Sequence, residues 1–153
     1  ALGQGTGTEL QNVTALREPL HLVIVAAQFG LSTPSVFKQL DAGRASGRYP
    51  ASGELVEPAE LLEALNSYDG SEAALASLAA LLRNDLQAPA LSCAPQLAET
   101  LALRNDGAVH ASLVSGSGPT VLLLASSQAR AEALATSLRV EGHHAVAAEV
   151  TSA

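Results

Sequence analysis

Residues 109–125 read V-H-A-S-L-V-S-G-S-G-P-T-V-L-L-L-A. Two short apolar runs, rich in valine and leucine, flank Ser115-Gly116-Ser117-Gly118-Pro119-Thr120. Runs of this kind around pure turn chemistry form two antiparallel strands joined by a tight glycine loop. The rest of the chain has to be arranged around that pair. Gly116 and Gly118 reach positive φ without a Cβ clash, so they can turn backbone N–H groups toward the concave side of the turn. Pro119 has a fixed φ and no N–H, which suits the first position of the exit strand. Two readings stand side by side here: a plain hairpin turn, or a loop that faces an anion.

The chain has 153 residues, enough for one domain with a real core. Hydrophobic residues make up 48% and charged residues 15%, a globular composition rather than a disordered one. Aromatics are only 3% and tryptophan and methionine are absent, so the core must be built from Leu, Val and Ala. A net charge of −7 argues against non-specific nucleic-acid binding, which needs a basic surface. The longest apolar run, 20–27, is too short to span a bilayer, and no basic segment precedes an apolar one as in a signal peptide. Neither nucleic acid nor membrane is expected as a partner. Cys93 is the sole cysteine, so no internal disulfide forms and a reducing, cytoplasmic compartment fits. No methionine stands even at position 1, so the chain reads as a fragment or a processed piece of a longer product.

Taken in order, residues 1–18 open with glycines at 3, 5 and 7, whose spacing is wrong for a dinucleotide fingerprint. No Walker A lysine follows them. Residues 8–13 read as a weak strand after a glycine turn. The run at 20–27 (L-H-L-V-I-V-A-A) is apolar almost throughout and reads as a central strand. Thr33 then reads as an N-cap with Pro34 at the first helical position. Val36 and Leu40 form the buried stripe of that helix. Phe37 lies on the stripe's edge and either completes the core or forms a surface platform. Residues 41–54 read as a long loop.

Pro58 opens the next helix, with Leu61, Leu62 and Leu65 on one face. Ser71 caps another, striped by Leu75, Leu78 and Leu82. Pro89 is expected to end or bend that helix. Residues 95–103 form a further short helix, closed near Asn105-Asp106-Gly107. After the hairpin, Ser127 caps a helix to about Val140 with Ala131, Leu134 and Leu138 inward, and Gly142 stops it. Residues 144–150 are the last strand. The order is that of a split β-α-β, ferredoxin-like fold with extra helices in the first crossover. The fold class is α+β, a two-layer antiparallel sheet with helices on one face.

Few constellations carry chemistry. Histidines at 21, 110, 143 and 144 show no metal spacing on a helix, and no metal site is expected. No nucleophile elbow is present. Cys93 reads as a buried, inert thiol. Glu54, Glu57, Glu60 and Glu63 line one helical face, which reads as solvated. Asn84 and Asp85 interrupt an apolar helix, and a capping or helix-end role is the default for them. The residues by themselves yield one candidate anion-facing loop and one candidate aromatic platform, and no reaction.

The Ser115–Thr120 run between two strands resembles the third motif of the GHMP kinases. Two further stretches are similar to the 4-diphosphocytidyl-2-C-methyl-D-erythritol kinase family within them. One is Phe29-Gly30-Leu31-Ser32-Thr33-Pro34-Ser35-Val36-Phe37-Lys38; the other is Asn84-Asp85-Leu86-Gln87-Ala88-Pro89-Ala90. Ala1-Leu2-Gly3 with Gly5, Gly7 and Glu9 matches the turn before that family's substrate domain. The motifs keep their order, and the resemblance covers the whole chain.

It implies that residues 1–18 belong to the end of a missing N-terminal domain and residues 19–153 form the GHMP kinase C-terminal domain. It also implies an enzyme of non-mevalonate isoprenoid biosynthesis. Such an enzyme moves the γ-phosphoryl group of ATP, with Mg2+, to the 2-hydroxyl of diphosphocytidyl methylerythritol. The phosphate-cradling loop, the catalytic aspartate and its lysine lie in that family's N-terminal half. This chain is thus expected to hold no catalytic residue and no cofactor of its own, and to be inactive alone. By the resemblance, Phe37 stacks on the substrate's cytosine and Thr33 is a polar position near the substrate. Ser115, Gly116, Ser117 and Gly118 support the phosphate loop. The glycine-rich stretch after Phe37 departs from the family pattern. A homoserine-kinase-like domain shares the glycine motif but not the other two. A non-catalytic ferredoxin-like module that binds small molecules or dimerises is the reading from another class.

Overall fold

The computed structural model describes residues 2–4, 9–11, 16–50, 58–103 and 107–151. The two inner strands of the main sheet form where the sequence is most apolar. β1 (Leu2–Gln4) and β2 (Glu9–Gln11) pair as a small antiparallel sheet of their own. The weak strand expected at 8–13 is thus present over Glu9–Gln11, while the turn glycines at 5 and 7 lie outside the described residues. The main sheet contains β3 (Leu20–Ala26), β4 (Val109–Val114), β5 (Val121–Ala125) and β6 (His144–Val150). Its order is β4-β5-β3-β6, every pair antiparallel, so β3 is central as its unbroken apolar run requires. This is the ferredoxin-like order.

Between β3 and β4 come α1 (Thr33–Ala45), α2 (Pro58–Ser67), α3 (Glu72–Leu81), α4 (Gln87–Cys93) and α5 (Leu97–Leu101); α6 (Gln128–Val140) joins β5 to β6. Side chains alternate across a strand, which divides the sheet into two faces. On one, Val23, Val25, Val121, Leu123 and Ala125 join a cluster with Val36 of α1, Ala90 of α4, Leu97 of α5 and Leu134 of α6. Burying a valine or leucine there fully is worth about 1.5–3 kcal/mol. The expectation of helices on one face holds for these four. It does not hold for α3. Leu75 of α3 and Tyr68, just after α2, join a second cluster with Leu124 and Ala111, from the opposite face. The long crossover lets one helix reach round the sheet's edge, because Leu20, Leu22 and Leu124 would otherwise be bare. Among the described residues, no helix is long and apolar enough to cross a membrane.

Several local expectations are met. Ser71 and Ser127 each accept a hydrogen bond from the N–H three residues on, Ala74 and Arg130, as N-caps do. Gly142 has φ 92 after α6. Others are corrected. Ser32, not Thr33, is the N-cap of α1, and its side chain makes no cap bond. α3 ends at Leu81, well before Pro89, which sits in the first turn of α4, where a missing N–H leaves no bond unmade. The exit strand begins at Val121, so Pro119 remains in the turn.

The loop expected from residue 41 begins only after Ala45, because α1 continues through Gly43. The N–H groups of Arg48 (2.8 Å) and Tyr49 (3.3 Å) donate to Gly43 O, folding the chain back over the helix end. The Tyr49 ring then lies where a Cβ on residue 43 would be. Its hydroxyl is 2.9 Å from Ser92 Oγ on α4. Gly43→Ala therefore has two opposed effects. Helix propensity favours alanine by about 1 kcal/mol. Displacing the ring costs about 1–3 kcal/mol by overpacking and breaks the Tyr49–Ser92 bond. Urea unfolding is expected to show net destabilisation; a more stable variant would mean that the ring swings out freely.

Candidate functional site

The β-sheet register decides what can meet. Val25, next to the last residue of β3, pairs with Val121, the first of β5, and Val114, the last of β4, pairs with the same Val121. The chain leaving β3 and the 115–120 loop therefore emerge at one end of the sheet. Phe29 and Leu31 pack against the main cluster and fix the approach to α1. Thr33, the first residue of α1, then places its Oγ1 2.8 Å from Ser117 Oγ, across 84 residues of sequence. This contact explains why Thr33 is not a cap: its hydroxyl is directed at the loop.

Phe37 stands four residues after Thr33, on the same helix face, and long helical side chains lean back toward the preceding turn. Its ring is 47% exposed. Of the two alternatives, core filler or surface platform, this exposure excludes the first. The other phenylalanine, Phe29, is the one that packs.

Within the loop, Gly116 has φ 55 and Gly118 φ 84, as turn chemistry demands. A Cβ on Gly118 would also lie 3.1 Å from Val114 and 3.3 Å from Leu31, so that position has no room for a side chain. The N–H of Ser115 donates to Thr120 O (2.8 Å) and that of Gly118 to Ser115 O (2.9 Å). The remaining support comes from outside the hairpin. Asn84 Nδ2 donates to Val114 O (2.7 Å) and Gly116 O (2.8 Å), while Asn84 Oδ1 accepts from Leu86 N–H (2.9 Å). Gln87 Oε1 accepts from Val114 N–H at 3.0 Å.

Asn84 thus has the local turn bond that its helix-end position suggests, and a long-range role that the sequence reading missed. The available signal was polar residues placed between two apolar helices. Asp85 is ion-paired with Arg44 at 2.8 Å, tying the α3–α4 link to the end of α1. Beside this link lies a cavity of about 360 Å³ whose wall includes Leu40, Arg44, Tyr49, Leu82 and Asn84; Thr33 and Phe37 are not part of it.

The remaining candidates are dispersed. Cys93 is exposed, contrary to the buried thiol expected; it falls at the last residue of α4, its Sγ 3.9 Å from Ser35 O. Glu60 and Glu63 are exposed on α2, and Glu54 and Glu57 lie outside the described residues. Among the described residues, no three His, Cys, Asp or Glu side chains gather as a metal site. Thr33, Ser117 and Phe37 offer hydroxyls and a ring, none of them an acid or base near neutral pH. The arrangement can bind and orient a ligand but cannot itself shuttle protons.

The chain is 40% identical over 147 residues to the 4-diphosphocytidyl-2-C-methyl-D-erythritol kinase of Pseudarthrobacter chlorophenolicus, covering 96% of this chain and 44% of that protein. It is 43% identical over 142 residues to the same-named kinase of Nocardia farcinica, covering 93% and 43%. The chain thus spans less than half the length of these relatives. Among solved structures, it superposes on a 4-(cytidine 5'-diphospho)-2C-methyl-D-erythritol kinase with TM-score 0.70 at 23% identity, covering 97% of this chain and 48% of that one. It superposes on an L. major mevalonate kinase in complex with R-mevalonate with TM-score 0.61 at 19% identity, covering 91% and 44%. At such identities these two structures speak for the fold alone. The family described as GHMP kinases C terminal matches residues 59–144, more than half of the sequence, and the chain belongs to that family.

Proposed function

We propose that this chain forms the substrate-binding wall of an ATP-dependent kinase acting on 4-diphosphocytidyl-2-C-methyl-D-erythritol. The observation that carries the reading is the 2.8 Å contact between Thr33 and Ser117. It joins the helix that presents Phe37 to the glycine loop, so an aromatic platform and an anion-facing turn share one rim. A substrate with a base at one end and phosphates beyond it needs such a pairing. The relatives' names support the identity of that substrate.

In the reaction, the substrate's 2-hydroxyl oxygen forms a bond to the γ-phosphorus of ATP. The bond from that phosphorus to the ADP oxygen breaks, and the hydroxyl proton is released. Phosphoryl transfer of this kind depends on positioning and charge stabilisation. Phe37 stacks on the cytosine ring, Thr33 holds the substrate near the loop, and residues 115–118 flank the transferred phosphate. The phosphate-cradling loop, the base and the Mg2+ ligands are assigned to an N-terminal domain, to whose end residues 1–18 belong. The setting is the cytoplasm.

Two measurements test this. The 153-residue chain alone is expected to show no ATP-dependent phosphorylation of the diphosphocytidyl substrate, because the proposal assigns the groups that align ATP to the N-terminal domain. Turnover by the purified chain would refute the division of labour. In the full-length polypeptide, Phe37→Ala removes a stacking contact worth about 1–3 kcal/mol. Substrate KM is expected to rise roughly 5- to 150-fold with ATP KM nearly unchanged. Equal changes in both would remove the stacking role.

A further inference from the structure

The glycine loop is clasped from outside the hairpin by one side chain, Asn84. A turn ordinarily presents both N–H donors and C=O acceptors at its rim. Here the carbonyls of Ser115 and Thr120 are taken up by N–H groups inside the turn. Those of Val114 and Gly116 are taken up by the two hydrogens of Asn84 Nδ2, at 2.7 and 2.8 Å. The N–H groups of Gly116 and Ser117 meet no acceptor among the described residues. Two N–H donors of the loop are thus without a protein acceptor, while Asn84 fixes the carbonyls on either side of Ser115.

We infer that Asn84 is a positioning residue for phosphoryl transfer: it acts through the 115–120 loop and touches neither substrate nor ATP. Only a neutral amide meets its three demands together. It must give two hydrogens to two carbonyl oxygens and accept one from the N–H of Leu86 (2.9 Å). Gln87 completes the clasp by accepting from Val114 N–H, so residues 84 and 87 grip both polar groups of Val114. The Arg44–Asp85 pair, at 2.8 Å, anchors the adjoining residue to α1, the helix that carries Thr33 and Phe37. One short link between α3 and α4 thereby sets the loop relative to the platform.

Asn84→Asp is nearly isosteric but gives no hydrogens, and it sets a carboxylate against two carbonyl oxygens. Asn84→Ala removes the clasp without adding charge. The test compares both variants with wild type in the full-length polypeptide, by steady-state kinetics, melting temperature and amide hydrogen exchange over residues 115–120. Asn84→Asp is expected to lower kcat by about 100-fold, the effect of a misplacement near 1 Å, and Asn84→Ala by less. The diphosphocytidyl substrate's KM should stay within about twofold and exchange in the loop should quicken; the assay is run well below each variant's melting temperature. If the aspartate variant does not fold, the alanine variant carries the same comparison.

A folded variant with kcat within about twofold of wild type, or with substrate KM alone altered, would overturn the role, as would unchanged exchange in the loop. The inference rests on the kinase reading above, and the wild-type control separates the two. A full-length wild type without ATP-dependent turnover refutes both, whereas an active wild type with indifferent variants refutes the positioning role alone.

Discussion

The pairing of β3 with β5 is the constraint on which the rest depends. Val25 opposite Val121 places the exit of one strand beside the entrance of the other. Everything that meets at the rim follows from that register. The segment after β3 has six residues, 27–32, in which to reach the start of α1, and the loop before β5 has six, 115–120, in which to return from β4. With so little chain, Thr33 and Ser117 have few places to be except near each other. A slip of one residue would also exchange the two faces of β3, turning Val23 and Val25 away from the main cluster. The same hydrophobic pattern that stabilises the fold therefore enforces the geometry of the site.

A second constraint acts on the loop. Gly118 is hemmed in by Val114 and Leu31, while nothing lies within 4 Å of a Cβ built on Gly116. The two glycines thus serve different ends. Gly118 lets the turn close down onto the core, and Gly116 supplies a left-handed conformation at an open rim. Leu31 belongs to the approach to α1, so the loop and the start of that helix are packed together as well as hydrogen-bonded.

Much of this fold was legible in the sequence, for reasons that are local. The apolar runs of β3 and β5 and the serine caps of α3 and α6 depend on neighbours within a few residues. What escaped depends on distant partners. Thr33 has every property of an N-cap, and Ser32 took that place because Ser117 offered the threonine hydroxyl a partner 84 residues away. Gly43 reads as a helix breaker, yet the helix continues because Tyr49 covers it. Pro89 reads as a terminator, yet it sits in the first turn of a helix that the sequence pattern had merged with the one before. α3 crosses to the second face to cover Leu22 and Leu124, which strand alternation exposes but cannot assign to a partner. Of the site, the loop and the ring were visible as chemistry. Asn84 was visible only as an interruption, since its partners Val114 and Gly116 lie 30 and 32 residues on.

Exposure alone does not single out Phe37. Val140 and Val146 are more exposed, at 85% and 61%, and isolated apolar side chains on a surface are ordinary. Position is what separates the ring from them. Val140 ends α6, and Val146 lies on the edge strand β6, neither tied to a polar group that the site uses. Phe37 sits one helical turn from Thr33, whose hydroxyl contacts the loop, and the loop's Gly116 carbonyl is in turn held by Asn84. An aromatic face, a hydroxyl pair and a set of unpaired N–H donors thus follow one another along a single rim. Each taken singly has a bland explanation. Their succession along the rim, enforced by the strand register, is what the proposed binding of a flat base and a phosphate rests on.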